Sequence, residues 1–471
     1  MSTVTQAKPT YLEKTAIITP MYQRMEQDGV AGISKTVENL ENLARAGHTV
    51  YLVEDGSKDG SQEWLRSYKR RNPESQINLI LRSENGQKVG AIKDAIETLP
   101  DYIDYVLLTD DDTRIINPNG IEEVIDIIED QGHAGSALKV VPAEVRREDY
   151  HHGDRIRDRL KDSMKYGWAQ FLRVLQDVDY AHSRVWAGYT TNQEAKDPEY
   201  NGKRPLKQRA KDRFRVKHEN AKVRCIAGAG GLWKREAVEE ALQSHSMRHN
   251  GDDMELTAIV MDKGNSVTYS DQISLETEAP KSYRDLLKQR IRWDLGAIET
   301  YTKERGFYLR DVGSFLKGLK HPRKNWGKHR LAHTTMYEWS VFAGVPIVTY
   351  GALQGLKEGD TTYLEHYFAV DLAYNMIFTS IAAKQGEVRS VKQALATMPA
   401  VVIYRAALTY PGKTIAFGKF LKNESSVALR AWSGRVKDRV HSGLERILNR
   451  EPKRNPVLAM AIMRPVIGDD E

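Results

Sequence analysis

Residues 49–81 read TVYLVEDGSKDGSQEWLRSYKRRNPESQINLIL: a β-rich run, a glycine turn, a helical pattern and a second β-rich run. Thr49–Glu54 is apolar almost throughout, as a strand buried on both faces is. Ser61–Arg71 has helical spacing, with Ser61 placed to act as its N-cap, and residues 77–81 (INLIL) are apolar again. The rhythm extends in both directions. Further strands are predicted at 15–19 (TAIIT) and 104–109 (DYVLLT), and further helices at 34–46 and 89–98. Such alternation predicts an α/β fold with a doubly wound, mostly parallel sheet, which binds ligands at the carboxyl ends of its strands.

The whole chain has 471 residues, 40% hydrophobic and 28% charged. This is globular composition, and it excludes a wholly disordered, collagen-like or disulfide-scaffold protein. Cys225 is the single cysteine, which suits a reducing compartment. The first fifteen residues carry Lys8, Glu13 and Lys14 and no apolar run. The expectation is therefore no secretory leader and a cytoplasmic protein, peripheral at most on the inner face of a membrane.

Net charge is only +6, but it is unevenly placed. Residues 203–224 hold ten Lys/Arg against two acids, a local +8, and residues 413–454 hold eleven against four, a local +7. These blocks suit an anionic surface or, more plainly, a solvated helix face. Residues 144–224 break the strand–helix rhythm and read as a basic insertion, helical over 151–176. A long helical pattern runs over 282–301. Beyond it, the apolar segments 336–353, 367–383 and 398–410 are interrupted by Glu338, Asp371 and Arg405. A spanning helix needs about 17–25 apolar residues, so buried or membrane-interfacial helices are expected instead.

Five motifs carry chemistry. Glu54 and Asp55 end a strand before a glycine turn, where a carboxylate can accept hydrogen bonds from a base or ribose. Asp110, Asp111 and Asp112 follow a wholly apolar strand; three adjacent like charges call for a divalent cation, Mg²⁺ or Mn²⁺, unless the loop is simply solvated. Residues 85–90 (NGQKVG) form a turn with one cation, Lys88, before a helix. Residues 251–256 (GDDMEL) open a helix with paired acids, suited to a general base or a capping box. In residues 289–293 (QRIRW), Gln289, Arg292 and Trp293 share a helical face, an arginine to fork onto a diphosphate and a flat wall for a sugar ring.

The order VEDGSKDG, NGQKVGA, DDD, AGAGGLWKREA, GDDMEL, QRIRW resembles family 2 of the inverting glycosyltransferases, of GT-A fold, over residues 13–142 and 224–305. The motifs are most similar to its polysaccharide-synthase branch, that of hyaluronan, chitin and cellulose synthases. The resemblance implies that residues 1–143 form the nucleotide-sugar half and 225–310 the acceptor half, with 144–224 inserted and 311–471 a helical region. It implies that Thr19, Pro20, Tyr22, Glu54 and Asp55 contact a uridine, with Lys88 near the base. Asp110 and Asp112 would serve the metal, and Asp110 and Asp111 would lie on the donor. Asp253 would be the catalytic base, Gln289, Arg292 and Trp293 would shield the diphosphate and floor the acceptor site, and residues 228–233 would line the acceptor cleft. Cys225 is expected in the core.

The implied reaction moves a sugar from a UDP-sugar to an acceptor hydroxyl with inversion. The acceptor is a glycan or glycolipid at the cytoplasmic membrane face, or a protein or modified nucleic acid met by a soluble, non-processive enzyme. Nucleic acid enters only as an acceptor. A non-catalytic nucleic-acid-binding protein is the rival of another class, and it leaves DDD, GDD and QRIRW unexplained.

Overall fold

The structure, a computed structural model, describes residues 11–147, 156–191, 223, 225–247, 250–280, 282–318, 410–424 and scattered positions between 354 and 379. The described strands form one eight-stranded sheet: β1 (Thr15–Met21), β2 (Thr49–Glu54), β3 (Asn78–Leu81), β4 (Tyr105–Thr109), β5 (Thr113–Ile115), β6 (Gly135–Pro142), β7 (Gly230–Lys234) and β8 (Val267–Thr277). Their order is β3-β2-β1-β4-β7-β6-β8-β5. The chain winds outward from β1 to β3 and returns to place β4 beside β1. That reversal is a switch point, where the carboxyl ends of β1 and β4 open a crevice.

The sheet is mixed. β1 to β4 pair in parallel, and so do β6 and β8, whereas β7 runs antiparallel to both β4 and β6, and β5 to β8. Parallel strands need helical crossovers, supplied here by α1 (Arg24–Arg45), α2 (Ser61–Arg71) and α3 (Gln87–Thr98). Because side chains alternate across a strand, each strand feeds two cores. Ile18, Val53 and Leu108 meet Val89 and Ile92 of α3 on one face. Ile17, Leu52 and Leu107 meet Val37 and Leu40 of α1, with Ile125 of α4 (Ile121–Asp130), on the other. The first face also receives α6 (Arg235–Leu242) and α7 (Asp252–Asp262) through Val238 and Ile259.

Three further helices are described in the second half: α8 (Tyr283–Lys303), α9 (Arg305–Gly318) and α10 (Tyr410–Glu424). Ser282 caps α8 by accepting the Asp285 N–H at 3.1 Å. A third core joins Leu295, Ile298 and Tyr301 of α8 to Tyr308 and Ala416, with Cys225 packed against it. α5 (Ile156–Thr191) extends the helix expected over 151–176, and its residues Ala169, Leu172, Leu175, Val178 and Ala181 are buried.

Local expectations need three corrections. Ser61 is not the N-cap of α2. Gly60 holds that position at φ 94°, the Ser61 N–H is taken by Asp59 Oδ1 at 3.0 Å, and the Ser61 hydroxyl accepts the Met25 N–H at 3.2 Å. α1 starts at Arg24 rather than 34, because a separate first turn precedes it across a break at Gly29, whose φ is 65°. Strands β5 to β8 were not foreseen: β5 and β7, three and five residues long, give too short a pattern, and polar residues such as Lys139 and Asp271 interrupt the apolar runs of β6 and β8. Block 203–224, except Val223, and segments 336–353 and 398–409 lie outside the described residues, as do most of 367–383 and of the basic block after 424. Among the described residues no helix is long and apolar enough to cross a membrane.

Candidate active site

The carboxyl ends of β1, β2 and β4 carry the first set of polar residues. Thr19 and Thr109, at the ends of neighbouring strands, share a hydrogen bond of 2.8 Å in the buried floor of the switch point. Pro20 lies opposite Val53 in the sheet register, and Tyr22 is exposed just beyond β1. Glu54 and Asp55 are both buried, and Glu54 Oε1 accepts the Ser57 N–H at 3.0 Å. Asp55 Oδ1 accepts from Arg82 Nη1 at 2.8 Å and from the Gly86 N–H at 2.9 Å. Burial pushes the Asp55 carboxyl above its ordinary range, against the pull of the Gly86 N–H and Arg82.

Arg82 escaped the sequence reading, and it explains the glycines of NGQKVG. A Cβ on Gly86 would lie 2.1 Å from Arg82 Nη1, and one on Gly90 2.7 Å from the same atom. These glycines therefore make room for a guanidinium that Asp55 and Asp94 hold. Arg82, and not Lys88, is the cation on Asp55.

Lys88, in the first turn of α3, reaches the other way. Its Nζ bonds Asp110 Oδ1 and donates to the Gly228 carbonyl at 2.9 Å. Burial opposes its charge, but Asp110, and then Asp252 and Asp253, more than offset this and hold the ammonium above its ordinary pKa. The Gly228 N–H in turn donates to Asp253 Oδ2 at 2.8 Å. Lys88 thus ties the DDD loop after β4 to the GDD turn at the start of α7.

Asp110, Asp111 and Asp112 are half-buried. Burial and then repulsion from Asp112 push Asp111 up to about 7; burial and then Asp110 push Asp112 up to about 6. Arg24 counters both. Its buried guanidinium faces Asp111 and Asp112, while Nη1 lies 3.0 Å from Asp28 Oδ2 and Nη2 3.4 Å from Glu278 Oε2. A lone arginine in a helical stretch gave no signal in the sequence. Part of the compensation expected from a metal is therefore supplied by the protein. Among the described residues no three metal-binding side chains are gathered at one point. Two carboxylates still fit Mg²⁺ or Mn²⁺, which usually take one or two from the protein and the rest from phosphate and water.

The GDD turn is placed by a close helix crossing. Gly251, at φ 68°, precedes α7, and a Cβ on Gly296 of α8 would lie 2.4 Å from the Gly251 nitrogen. Asp253 Oδ1 accepts the Met254 N–H at 2.8 Å, so Asp253 is held by two backbone donors. Burial raises the Asp252 carboxyl, partly opposed by Lys88. Lys88, Gly228, Asp252 and Asp253 line a small cavity over Trp233 and His245. Glu255 is occupied elsewhere, accepting from the Ser246 N–H at 2.7 Å, the Ser246 hydroxyl at 2.5 Å and Lys303.

QRIRW lies on α8, outside that cluster. Gln289 Oε1 accepts from Gln176 Nε2 of α5 at 3.2 Å. Arg290 Nη2 is 2.5 Å from Asp179 Oδ2 of α5, and its guanidinium carbon sits 4.5 Å from the Trp293 ring centroid. Arg292 and Trp293 are exposed, and Arg292 makes no ion pair among the described residues. One turn on from Arg290, Asp294 pairs with Lys413 of α10 at 2.6 Å.

No curated protein matches the chain. Among solved structures, the mannosyltransferase PcManGT from Pyrobaculum calidifontis, in complex with GDP-Man and Mn²⁺, is similar at 14% identity and TM-score 0.42, over 84% of this chain and 86% of that one. TarS 1-349 from S. aureus is similar at 11% identity and TM-score 0.33, over 87% and 92%. GalNAc-T7 with UDP, GalNAc and Mn²⁺ is similar at 10% identity and TM-score 0.34, over 56% and 43%. The family model described as glycosyltransferase like family 2 matches residues 15–296, more than half of the chain. The sheet, the switch-point crevice and that match lead to one conclusion: the protein belongs to glycosyltransferase family 2 and is a glycosyltransferase of GT-A fold.

Proposed function

We propose that the protein transfers a sugar from a UDP-sugar, with inversion and metal dependence, to a hydroxyl of a glycan or glycolipid, as in the polysaccharide-synthase branch. The observation that carries this reading is the convergence on Lys88 of Asp110 from one half of the fold and Gly228 and Asp253 from the other. Thr19, Pro20, Tyr22, Glu54 and Asp55 border the crevice that would take the uridine, with Asp55 oriented by Arg82. Asp110 and Asp112 would hold Mn²⁺ or Mg²⁺ beside Asp111, and the ion would supply positive charge against the diphosphate. Among the described residues Arg292 has no ion pair to break before forking onto the same diphosphate.

Asp253 takes the proton of the acceptor hydroxyl as that oxygen attacks the anomeric carbon. The bond from that carbon to the diphosphate oxygen breaks on the opposite face, and UDP leaves with its electron pair. The Gly228 N–H fixes Asp253 for this role, and a carboxylate holding two N–H groups keeps lone pairs free.

One feature favours an acceptor at an anionic membrane face over a soluble macromolecule. Leu160, Met164 and Trp168 of α5 are exposed one helical turn apart, beside Arg159, Lys161 and Lys165. The test of the central reading is release of UDP from UDP-glucose, UDP-N-acetylglucosamine, UDP-galactose and UDP-glucuronate with Mn²⁺ present. At least one donor should turn over and stop doing so with chelator; none turning over refutes the reading.

A further inference from the structure

His245 lies between α6 and α7, seven residues before Asp252, and its side chain is fully buried. Both ring nitrogens are used there. Nδ1 accepts the Met247 N–H at 3.1 Å, and Nε2 lies 3.0 Å from the backbone carbonyl oxygen of Asp252. A nitrogen that accepts from an N–H carries no proton, and a carbonyl can only accept. The two bonds therefore select one tautomer, the neutral ring whose Nε2–H donates to Asp252.

The arrangement is costly to build. A polar ring has been taken out of water, and Met247 is held at φ 56°, a left-handed conformation that is sterically unfavourable for a residue with a side chain. Ser246, between them, is tied as well. It donates its N–H at 2.7 Å and its hydroxyl at 2.5 Å to Glu255, which also takes Lys303 of α8. Residues 245–247 are thus clamped to the first turn of α7 at two points, the Asp252 carbonyl and the Glu255 carboxylate.

The first of these points is the peptide that leads into Asp253. The Asp252 carbonyl and the Asp253 N–H belong to one rigid plane, and the Asp253 Cα is bonded to its end. Turning that plane would turn the Cα–Cβ bond and swing the carboxylate away from the Gly228 N–H, now 2.8 Å from Oδ2. Gly251, at φ 68°, stands just upstream with no side chain to limit such a turn, so the hold comes from His245. The ring also borders the small cavity lined by Lys88, Asp252 and Asp253. At about 20 Å³ this cavity has room for a water and not for a sugar, so the imidazole meets neither substrate.

We infer that His245 is a positioning residue for glycosyl transfer: through the Asp252 carbonyl it sets the peptide plane from which the Asp253 carboxylate projects. This rests on the transferase reading above, with Asp253 as the base.

Two amide substitutions each copy one half of the ring. In His245→Gln the side-chain nitrogen takes the place of Nε2 and still donates to Asp252, while the Met247 N–H loses its acceptor. In His245→Asn the side-chain oxygen takes the place of Nδ1 and still accepts from Met247, while Asp252 loses its donor. Each variant loses one buried hydrogen bond, so both should melt at a lower temperature. Turnover separates them. With Mn²⁺ and a UDP-sugar that the unmodified protein turns over, His245→Asn should lower kcat about tenfold or more and leave the donor KM within about twofold, whereas His245→Gln should keep kcat within about threefold. Calorimetric titration with Mn²⁺ and UDP should give the same affinity in all three proteins. Normal kcat in His245→Asn, equal losses in both variants, a kcat that follows the melting temperature, or a weakened affinity for UDP overturns the inference. So does a His245→Asn protein that does not fold, which would make the ring a requirement of the fold alone. If the unmodified protein turns over no UDP-sugar, the transferase reading itself fails; if it does and the two variants do not diverge, only the role of His245 falls.

Discussion

Asp112, in the loop after β4, and Asp253, in the first turn of α7, face the site from different elements, and amide substitutions should separate their roles. Asp112→Asn is expected to abolish Mn²⁺-dependent binding of UDP without lowering the melting temperature, since it removes repulsion from Asp110 as well as a ligand. Calorimetric titration with UDP and Mn²⁺ is the measurement, and an unchanged affinity would refute the metal assignment. Asp253→Asn keeps one oxygen to accept from the Gly228 or the Met254 N–H and loses proton uptake. Donor binding should persist while transfer falls by about 10² or more. Near-normal turnover in that variant would move the base to Asp252, the neighbouring acid of the GDD turn, which also acts on Lys88.

Glu255 illustrates a different fate for an acid of the same motif. Burial works against its charge, but hydrogen bonds from Lys303 and Ser246 and the nearby His245 hold its pKa below the ordinary value. A depressed carboxylate adds stability above its unfolded pKa, about 4.3, and loses it as pH falls through the lower folded value. Glu255→Gln should therefore cost about 1–3 kcal/mol at pH 7 and progressively less below about pH 4.5. Thermal melts of both proteins from pH 7 down to pH 4 test this, and a constant difference across the range refutes it.

At the scale of elements, the crossing of α7 and α8 sets the position of the acids. Gly251 and Gly296 meet backbone to backbone, so a methyl group on Gly296 has no flexible side chain to push aside. Gly296→Ala should destabilise the protein by about 1–3 kcal/mol and lower turnover through displacement of Asp253. Denaturant unfolding and donor hydrolysis together check it; a variant with parental stability would show that the helices separate freely. By contrast, α5 tolerates its own exposed stripe because its buried half, from Ala169 to Ala181, supplies the packing.

At the scale of the molecule, charge and apolar exposure fall on the same helix. Each basic residue near an anionic surface contributes about 1 kcal/mol, so Arg159, Lys161 and Lys165 should support peripheral, salt-sensitive binding with Leu160, Met164 and Trp168 inserted. Sedimentation with phosphatidylserine vesicles should bring the protein down at low salt and release it at high salt. Failure to pellet at low salt, or retention through a high-salt wash, would each exclude that mode of attachment.

The sequence by itself determined the parallel half of the sheet and the order of its motifs. Strands such as 49–54 and 105–109 are apolar on both faces, and α8 has its capping serine; these are local patterns that the chain spells out over a few residues. Asp110, Asp112, Asp253 and Trp293 were legible because their residue types are conspicuous after strands or on a helix face. Only the tertiary structure decided their partners. Arg82 on Asp55, Arg24 against Asp111 and Asp112, and Lys88 between Asp110 and Gly228 span 22 to 140 residues of chain, and Gln176 reaches Gln289 across 113. Periodicity describes neighbours within a turn or a strand, whereas a long side chain pairs with whatever acid or amide the folded sheet brings within reach. The counter-charges of the site are therefore set by packing, while the residues that need them are set by the sequence.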